Sequence, residues 1–249
     1  MKKLETFIFV HDQEIILDCI QKKKFSNFEN LKYVLVGNNS FDKLENNESV
    51  IIAKKYTNNI ENYPKLTSFT GWYLLWKNNL VSSEYINLFE YDVNYQNNFN
   101  KVNFDSINEG YDFIGYFPMP ISDPVYVDIR QYSDALASSI KKKTQIDIYK
   151  IISQKFEENF FETWSSSSNS TWKTEAWENY MSWFENFLED IKTNNYCGHM
   201  HERSLSFYYF IKNLKVKEIS NIMSHFQLNT HGTSPLPKER FNQLYNQLF

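Results

Sequence analysis

The chain has 249 residues, 42% of them apolar, with a net charge of −4 and only 6 glycines and 6 prolines. That composition can fill a core for one large domain or two small ones and excludes a disordered or fibrous chain. The negative balance excludes a general attraction to nucleic acid, and no apolar run nears the roughly 18 residues of a membrane span.

The first apolar stretch, Leu4–Val10, reads as a buried strand; Glu5 and His11-Asp12 break it too early for a signal peptide. Cys19 and Cys197 are far apart and form no Cys-x-x-Cys pair, so a reducing, cytoplasmic setting is expected. Residues Glu14–Lys24 place Ile15, Ile16, Cys19 and Ile20 on one helical face. Tyr33–Val36 is a second strand ending in Gly37-Asn38-Asn39, and Val50–Ala53 is a third. Strands alternating with helices predict a parallel α/β sheet. By that fold logic His11, Asp12, Gly37 and Asn38 fall on the carboxyl edge of the sheet, where ligands bind, although simple polar turns explain them equally well.

Pro64 suits a helix's first turn, and Leu66, Phe69, Tyr73, Trp76 and Leu80 then recur at helical spacing as a core stripe. Gly71 within that pattern costs roughly 1 kcal/mol relative to Ala, which implies a close approach to its backbone. Thr67, Thr70 and Lys77 are the polar positions.

Tyr85–Phe89 is a short apolar run that reads as a strand covered on both faces. It runs into Glu90 and Asp92, whose spacing puts both on one side of extended chain. Two such acids at a strand's carboxyl end can share a divalent cation and a diphosphate; a strand end with solvated acids has the same spacing.

Tyr111–Phe117 is another strand, Tyr132–Ile152 holds one or two helices, and Phe156–Trp164 continues helical. The run from Ser165 to Thr171, S-S-S-S-N-S-T, reads as a surface linker in preference to a lid. Trp172–Ile191 is a long helix burying Trp177, Tyr180, Phe184, Phe187 and Ile191. Cys197–Arg203, C-G-H-M-H-E-R, then opens an apolar helix with Glu202 in its first turn, where the helix dipole favours an ionised carboxylate. Such a group can act as a general base, and His199 and His201 can supply nitrogen ligands or phosphate contacts. A capped helix start with a Glu202–Arg203 pair is the plainer reading. Residues 215–249 form a tail expected to dock on the same domain through Phe241, Leu244, Tyr245 and Leu248; peripheral membrane contact is its minority reading.

Together these pieces carry a resemblance. Y-P-K-L-T-S-F-T-G-W-Y-L-L-W-K-N, followed closely by E-Y-I-N-L-F-E-Y-D, resembles bacterial and viral glycosyltransferases of GT-A fold that build capsule and surface glycans. G-H-M-H-E-R-S-L is similar to the segment of inverting enzymes of that fold in which an acid opens the helix near the acceptor. The resemblance covers residues 4–214 and implies a GT-A-like, mainly parallel sheet flanked by helices in a single domain. It implies a UDP- or GDP-linked nucleotide sugar as donor and a glycan or lipid-linked acceptor. Asp92 takes the place of the metal-binding Asp for Mn²⁺ or Mg²⁺, and Glu90 the position facing ribose or metal; Glu there departs from the usual Asp-x-Asp. Glu202 matches the catalytic base, His199 or His201 a late metal ligand with His231 as a weaker rival, and His11-Asp12 a place near the nucleotide base. Arg203 or Lys77 would assist the diphosphate if no metal is used. The competing readings are a non-catalytic glycan- or nucleotide-sugar-binding protein of the same fold and a sugar nucleotidyltransferase. The latter is weakened by the lack of any G-x-G-x-x-G or G-x-x-x-x-G-K loop.

Overall fold

Seven consecutive buried residues, Leu4–Val10, make strand β1. Phe7 and Phe9 enter one core while Leu4, Ile8 and Val10 enter a second, so both faces of the strand are covered. The computed structural model describes residues 3–37, 40–120, 123–158 and 163–225.

In chain order, β1 is followed by α1 (Gln13–Gln21), β2 (Leu31–Leu35), β3 (Val50–Ile52), α2 (Phe69–Lys77), β4 (Tyr85–Glu90), β5 (Val93–Tyr95), α3 (Phe99–Asn108), β6 (Phe113–Gly115) and β7 (Pro118–Pro120). Then come α4 (Asp123–Thr144), α5 (Ile148–Glu158), β8 (Thr163–Ser165), β9 (Ser170–Lys173), α6 (Thr174–Ile191), α7 (Cys197–Lys212), β10 (Val216–Glu218) and β11 (Met223–His225). Seven strands form the main sheet in the order β3-β2-β1-β4-β9-β6-β10. Strand β1 is parallel to β2 and β4, β2 to β3, and β6 to β10; β9 alone runs antiparallel, between β4 and β6. The expected mainly parallel α/β sheet is therefore present. Two short antiparallel pairs, β5 with β11 and β7 with β8, flank it.

One face of the sheet packs against α2, α6 and α7 through Trp72, Trp172, Tyr180 and Phe184, with the Trp172 and Tyr180 rings stacked at 5.4 Å. The other packs Phe28, Phe89, Phe99 and Tyr116 against α1 and α3. The five α6 residues expected inside are all buried. Helix α2 is apolar nearly all round: Trp72, Leu74 and Leu75 are buried, whereas Tyr73 and Trp76 from the expected stripe are half-buried. The close approach at Gly71 is that of the Phe9 ring, which a Cβ there would strike.

Two expectations are corrected. The serine-rich run is neither linker nor lid: residues 165–169 are largely buried and Ser170–Lys173 is strand β9, in the middle of the sheet. Small hydroxyls can be buried because each finds a partner: Ser170 Oγ donates to the Ser168 carbonyl at 2.9 Å, and Trp172 Nε1 donates to Ser170 Oγ at 3.0 Å. Nor does a helix continue to Trp164, since α5 ends at Glu158 and Trp164 lies in β8. From the region read as a tail, Val216–Glu218 joins the main sheet beside β6; the apolar stripe Phe241–Leu248 lies outside the described residues. Among the described residues no helix is long and apolar enough to cross a membrane.

Candidate functional site

The parallel strands β1, β2 and β4 deliver His11, Gly37 and Glu90 to one edge of the sheet. Because β9 runs the other way, the segment leading into it, residues 165–169, meets them there. Glu90, the last residue of β4, is half-buried. Its amide donates to Asn169 Oδ1 at 2.7 Å, and its carboxylate accepts from Ser168 Oγ at 3.2 Å and Asn169 Nδ2 at 3.4 Å. Ser168 Oγ also meets Ser68 Oγ at 3.1 Å, tying Glu90 to the start of α2.

Asp92 follows in the turn between β4 and β5 and is fully buried. Its charge acts on the Lys24 ammonium, which also donates to the Tyr91 carbonyl. Burial pulls Lys24 down to about 8, against the opposing pull of Asp92 and neighbouring acidic groups. His11 packs edge-on against Tyr91 at 5.3 Å, so the end of β1 and the acidic turn are neighbours.

Several expected nucleotide contacts have structural partners. The Asp12 carboxylate caps α1, accepting from the Glu14 amide at 2.7 Å. The Gly37 amide donates to the buried Glu61 carboxylate, in a turn whose φ of +87° suits glycine. Burial raises the Glu61 pKa against the bonds from Gly37 and Thr70 that lower it. Thr67 is exposed and carries a φ of +52° with ψ −129°, an unusual backbone for a β-branched residue. Lys77 does not belong to the site. Helix α2 starts beside Ser168 and rises about 1.5 Å per residue, which carries Lys77 more than about 10 Å away along its axis. There it pairs with Glu185 of α6 at 2.5 Å and lies over the Trp76 ring at 4.1 Å. Asn38 and His231 lie outside the described residues.

The second cluster is on α7, which begins at Cys197, so Glu202 sits in its second turn and not its first. The dipole argument weakens accordingly. Side-chain bonds replace it: Glu202 Oε2 accepts from Arg203 Nη1 at 2.7 Å and meets His199 Nδ1 at 3.4 Å. Burial pushes this carboxyl up, but the His199 bond and the Arg203 charge outweigh it and leave the group below the ordinary carboxylate value. Arg203 stacks over Trp164 at 5.0 Å, and Trp164 precedes Ser165 of the segment that reaches Glu90. The start of α7 also touches the start of α2, where a Cβ on Gly198 would lie 2.8 Å from the Lys65 carbonyl oxygen and 3.3 Å from Thr67 Oγ1.

The two histidines part company. His199 faces Glu202, whereas the His201 ring is sealed among Phe69 at 4.6 Å, Trp72 at 4.8 Å and Phe184 at 5.8 Å. Neither of its nitrogens has a hydrogen-bond partner among the described residues, and burial lowers its pKa to about 3. His201 is a core residue, which corrects its expected place as a ligand. The backbone brings a different histidine to the acidic turn: His225 of β11 is the register partner of Val93, the residue after Asp92.

Among the described residues no three His, Cys, Asp or Glu side chains converge as for a metal ion held by protein alone. A hard divalent ion that takes most of its ligands from a diphosphate and water asks only one or two carboxylates of the protein; Glu90 and Asp92 are the two acids at the end of β4, Glu90 half-buried and Asp92 fully buried.

Sequence reasoning missed two further acids at this edge. Glu61 is one. The other is Glu218 at the end of β10, whose carboxyl lies where a Cβ on Gly115 would be. Burial raises it to about 8 while the Tyr209 hydroxyl draws it back. A cavity of about 320 Å³ adjoins it, lined by Lys155, Thr163, Tyr209 and Asn213 among others. Each is an isolated acid in a short segment, with no motif to single it out.

No family model matches the chain, and no curated protein matches it. Among solved structures it is similar to the apo structure of WbbM, a bifunctional glycosyltransferase, with a TM-score of 0.58 and 16% identity over 90% of this chain and 45% of that one. The chain thus spans under half of that structure's length. Glucosyl-3-phosphoglycerate synthase from Mycobacterium tuberculosis, in complex with Mn²⁺ and UDP-glucose, superposes with a TM-score of 0.41 at 9% identity, over 99% of this chain and 76% of that one. That second likeness is too distant to carry an argument. The first shows the fold, which is GT-A-like.

Proposed function

We propose that the chain transfers a sugar from a UDP- or GDP-linked donor to a hydroxyl of a glycan or lipid-linked acceptor. The observation that carries this reading is the pairing of two acids at the carboxyl end of β4 with a third, ionised carboxylate, Glu202, joined to the same edge through Arg203, Trp164 and Ser165. In the reaction the acceptor oxygen attacks the anomeric carbon, the bond from that carbon to the diphosphate breaks, and the hydroxyl proton passes to Glu202. A divalent ion arriving with the diphosphate would neutralise its departing charge. Glu90 and Asp92 would hold that ion, with His225 adjacent in register. Lys24, which follows α1, donates to the Tyr91 carbonyl of that turn and places a cation beside Asp92.

Melting temperature measured against a panel of UDP- and GDP-sugars, with and without Mn²⁺ or Mg²⁺, tests the donor. A metal-dependent rise with one nucleotide class is expected, and it should vanish in Asp92→Asn, because a neutral amide keeps the shape but removes the charge a hard cation needs. No shift with any nucleotide sugar would overturn the reading. Binding without turnover would favour a non-catalytic nucleotide-sugar-binding protein, for which the complete burial of Asp92 is the supporting observation.

A further inference from the structure

Of the Phe, Tyr and Trp side chains among the described residues, Tyr196 alone is exposed, with 45% of its surface open. An exposed tyrosine, where the other Phe, Tyr and Trp rings among the described residues are buried wholly or in part, calls for a physical account. Tyr196 stands just before α7 and packs edge-on against Tyr132 of α4, with ring centres 5.1 Å apart at 65°. His199 completes the group, 5.0 Å from Tyr132 and 6.4 Å from Tyr196. Charged groups border it: the Glu202 carboxylate is bound to His199, and the Arg203 guanidinium lies 5.9 Å from the Tyr132 ring. His199 and Glu202 keep 34% and 25% of their side-chain surface open.

Flat apolar rings bordered by a carboxylate, an imidazole and a guanidinium match one ligand chemistry closely. A pyranose has a C–H face that packs on an aromatic ring and a rim of hydroxyls that need donors and acceptors. An acyl chain would gain nothing from the charged border, and a polyanion would meet the Glu202 carboxylate. We propose that Tyr196, Tyr132 and His199 form a shelf that binds a saccharide, seating one sugar ring of a glycan acceptor beside Glu202. The acceptor role rests on the transferase reading given above; saccharide binding at the shelf stands without it.

The test uses the full chain and the methyl glycosides of glucose, galactose, mannose and N-acetylglucosamine as probes, read by saturation-transfer NMR. Saturation of the ring protons of at least one glycoside is expected. Tyr196→Ala should weaken that binding about tenfold, the scale of a lost aromatic contact, while Tyr196→Phe, which keeps the ring, should retain it. Since Tyr196 is exposed, both variants should melt like the parent and keep its nucleotide-sugar response. No saturation with any glycoside, or equal saturation in Tyr196→Ala, would overturn the shelf. So would saturation confined to the alkyl chain of octyl glucoside, which would make the face a lipid contact. Glycoside binding that depends on Tyr196, in a protein that no nucleotide sugar stabilises, would support the shelf and defeat the transferase reading.

Discussion

Asn87 and Glu90 lie three residues apart on β4, and their surroundings differ in kind. Asn87 is fully buried and donates to Thr6 Oγ1 at 3.0 Å while accepting from Asn103 Nδ2 at 3.0 Å and Thr171 Oγ1 at 2.6 Å. Tyr116 closes the network on Asn103 Oδ1 at 2.8 Å. Glu90 is half-buried and its carboxylate contacts are longer, 3.2 and 3.4 Å. The interior network joins β1, β4, α3, β9 and Tyr116 at the end of β6 with short bonds sealed from water, so its worth lies in specifying how those elements pack. At the carboxyl edge the Glu90 carboxylate faces partial solvent, where a ligand can compete for its bonds, while Asp92, Ser168 and Asn169 beside it are buried. Interior substitutions should therefore act on stability and edge substitutions on binding and turnover.

The sharpest break of that comparison is Glu202→Gln. If Glu202 takes the acceptor proton, the variant should keep donor binding and lose roughly 10²–10⁴-fold in turnover, because Gln cannot accept a proton. A carboxylate that only anchors Arg203 and His199 would instead give near-normal turnover with a small drop in melting temperature. Transfer rate and melting temperature measured on one preparation separate the two outcomes.

His201 supplies the interior counterpart, read through pH. The unfolded chain binds a proton on this ring near pH 6.5, but the folded protein does not until about pH 3. Between those values the unfolded state holds the extra proton, so stability falls as pH falls through that window, by an amount on the order of 4 kcal/mol at the acid end. His201→Phe removes the titrating ring and suits the aromatic surroundings. Denaturant midpoints of the variant should lose that part of the acid dependence, with turnover at neutral pH preserved. An unchanged acid profile would place the sensitivity elsewhere.

Asn87→Leu should come next, costing about 1–3 kcal/mol for each buried partner left unsatisfied at Thr6, Asn103 or Thr171. Urea unfolding reads this directly. A stable variant with lost turnover would break the division between interior and edge.

That division also explains what could be read from the residues in order. The parallel half of the sheet was legible because strands covered on both faces leave short apolar runs, as at Leu4–Val10 and Tyr85–Phe89. The placement of Glu90 at a carboxyl edge followed from that topology. Strand β9 was illegible for the opposite reason. Its Thr171 is buried by partners distant in sequence, Asn87 and Tyr116, and its one serine by bonds to Ser168 and Trp172, and local hydrophobicity carries no trace of either. The start of α7 was misplaced because Tyr196 caps it without a side-chain bond, so no cap residue marks the boundary. His199 and His201 alternate in sequence as equals; only the packing of α7 against Phe69 and Trp72 makes one of them core.

The smallest expected effect tests the edge itself, at Thr67. Its φ of +52° with ψ −129° is a conformation in which glycine has no steric cost and a β-branched residue does. The turn is held regardless: the Thr67 carbonyl accepts from the Thr70 amide at 3.2 Å and from Thr70 Oγ1 at 2.8 Å. Thr67→Gly should therefore relieve strain and, after the greater freedom glycine gives the unfolded chain, leave a net gain of no more than about 1 kcal/mol. Were Thr67 only a turn residue, the variant would be slightly more stable and equally active. Thr67 Oγ1, however, faces the start of α7 near Gly198, where the two clusters of the edge meet. A strained, exposed threonine at that junction is expected to contribute through its hydroxyl, so Thr67→Gly should raise the melting temperature slightly while weakening nucleotide-sugar binding. Thr67→Ser keeps the hydroxyl and should restore binding. Equal donor affinity in all three proteins would reduce Thr67 to a strained turn with no part in the site.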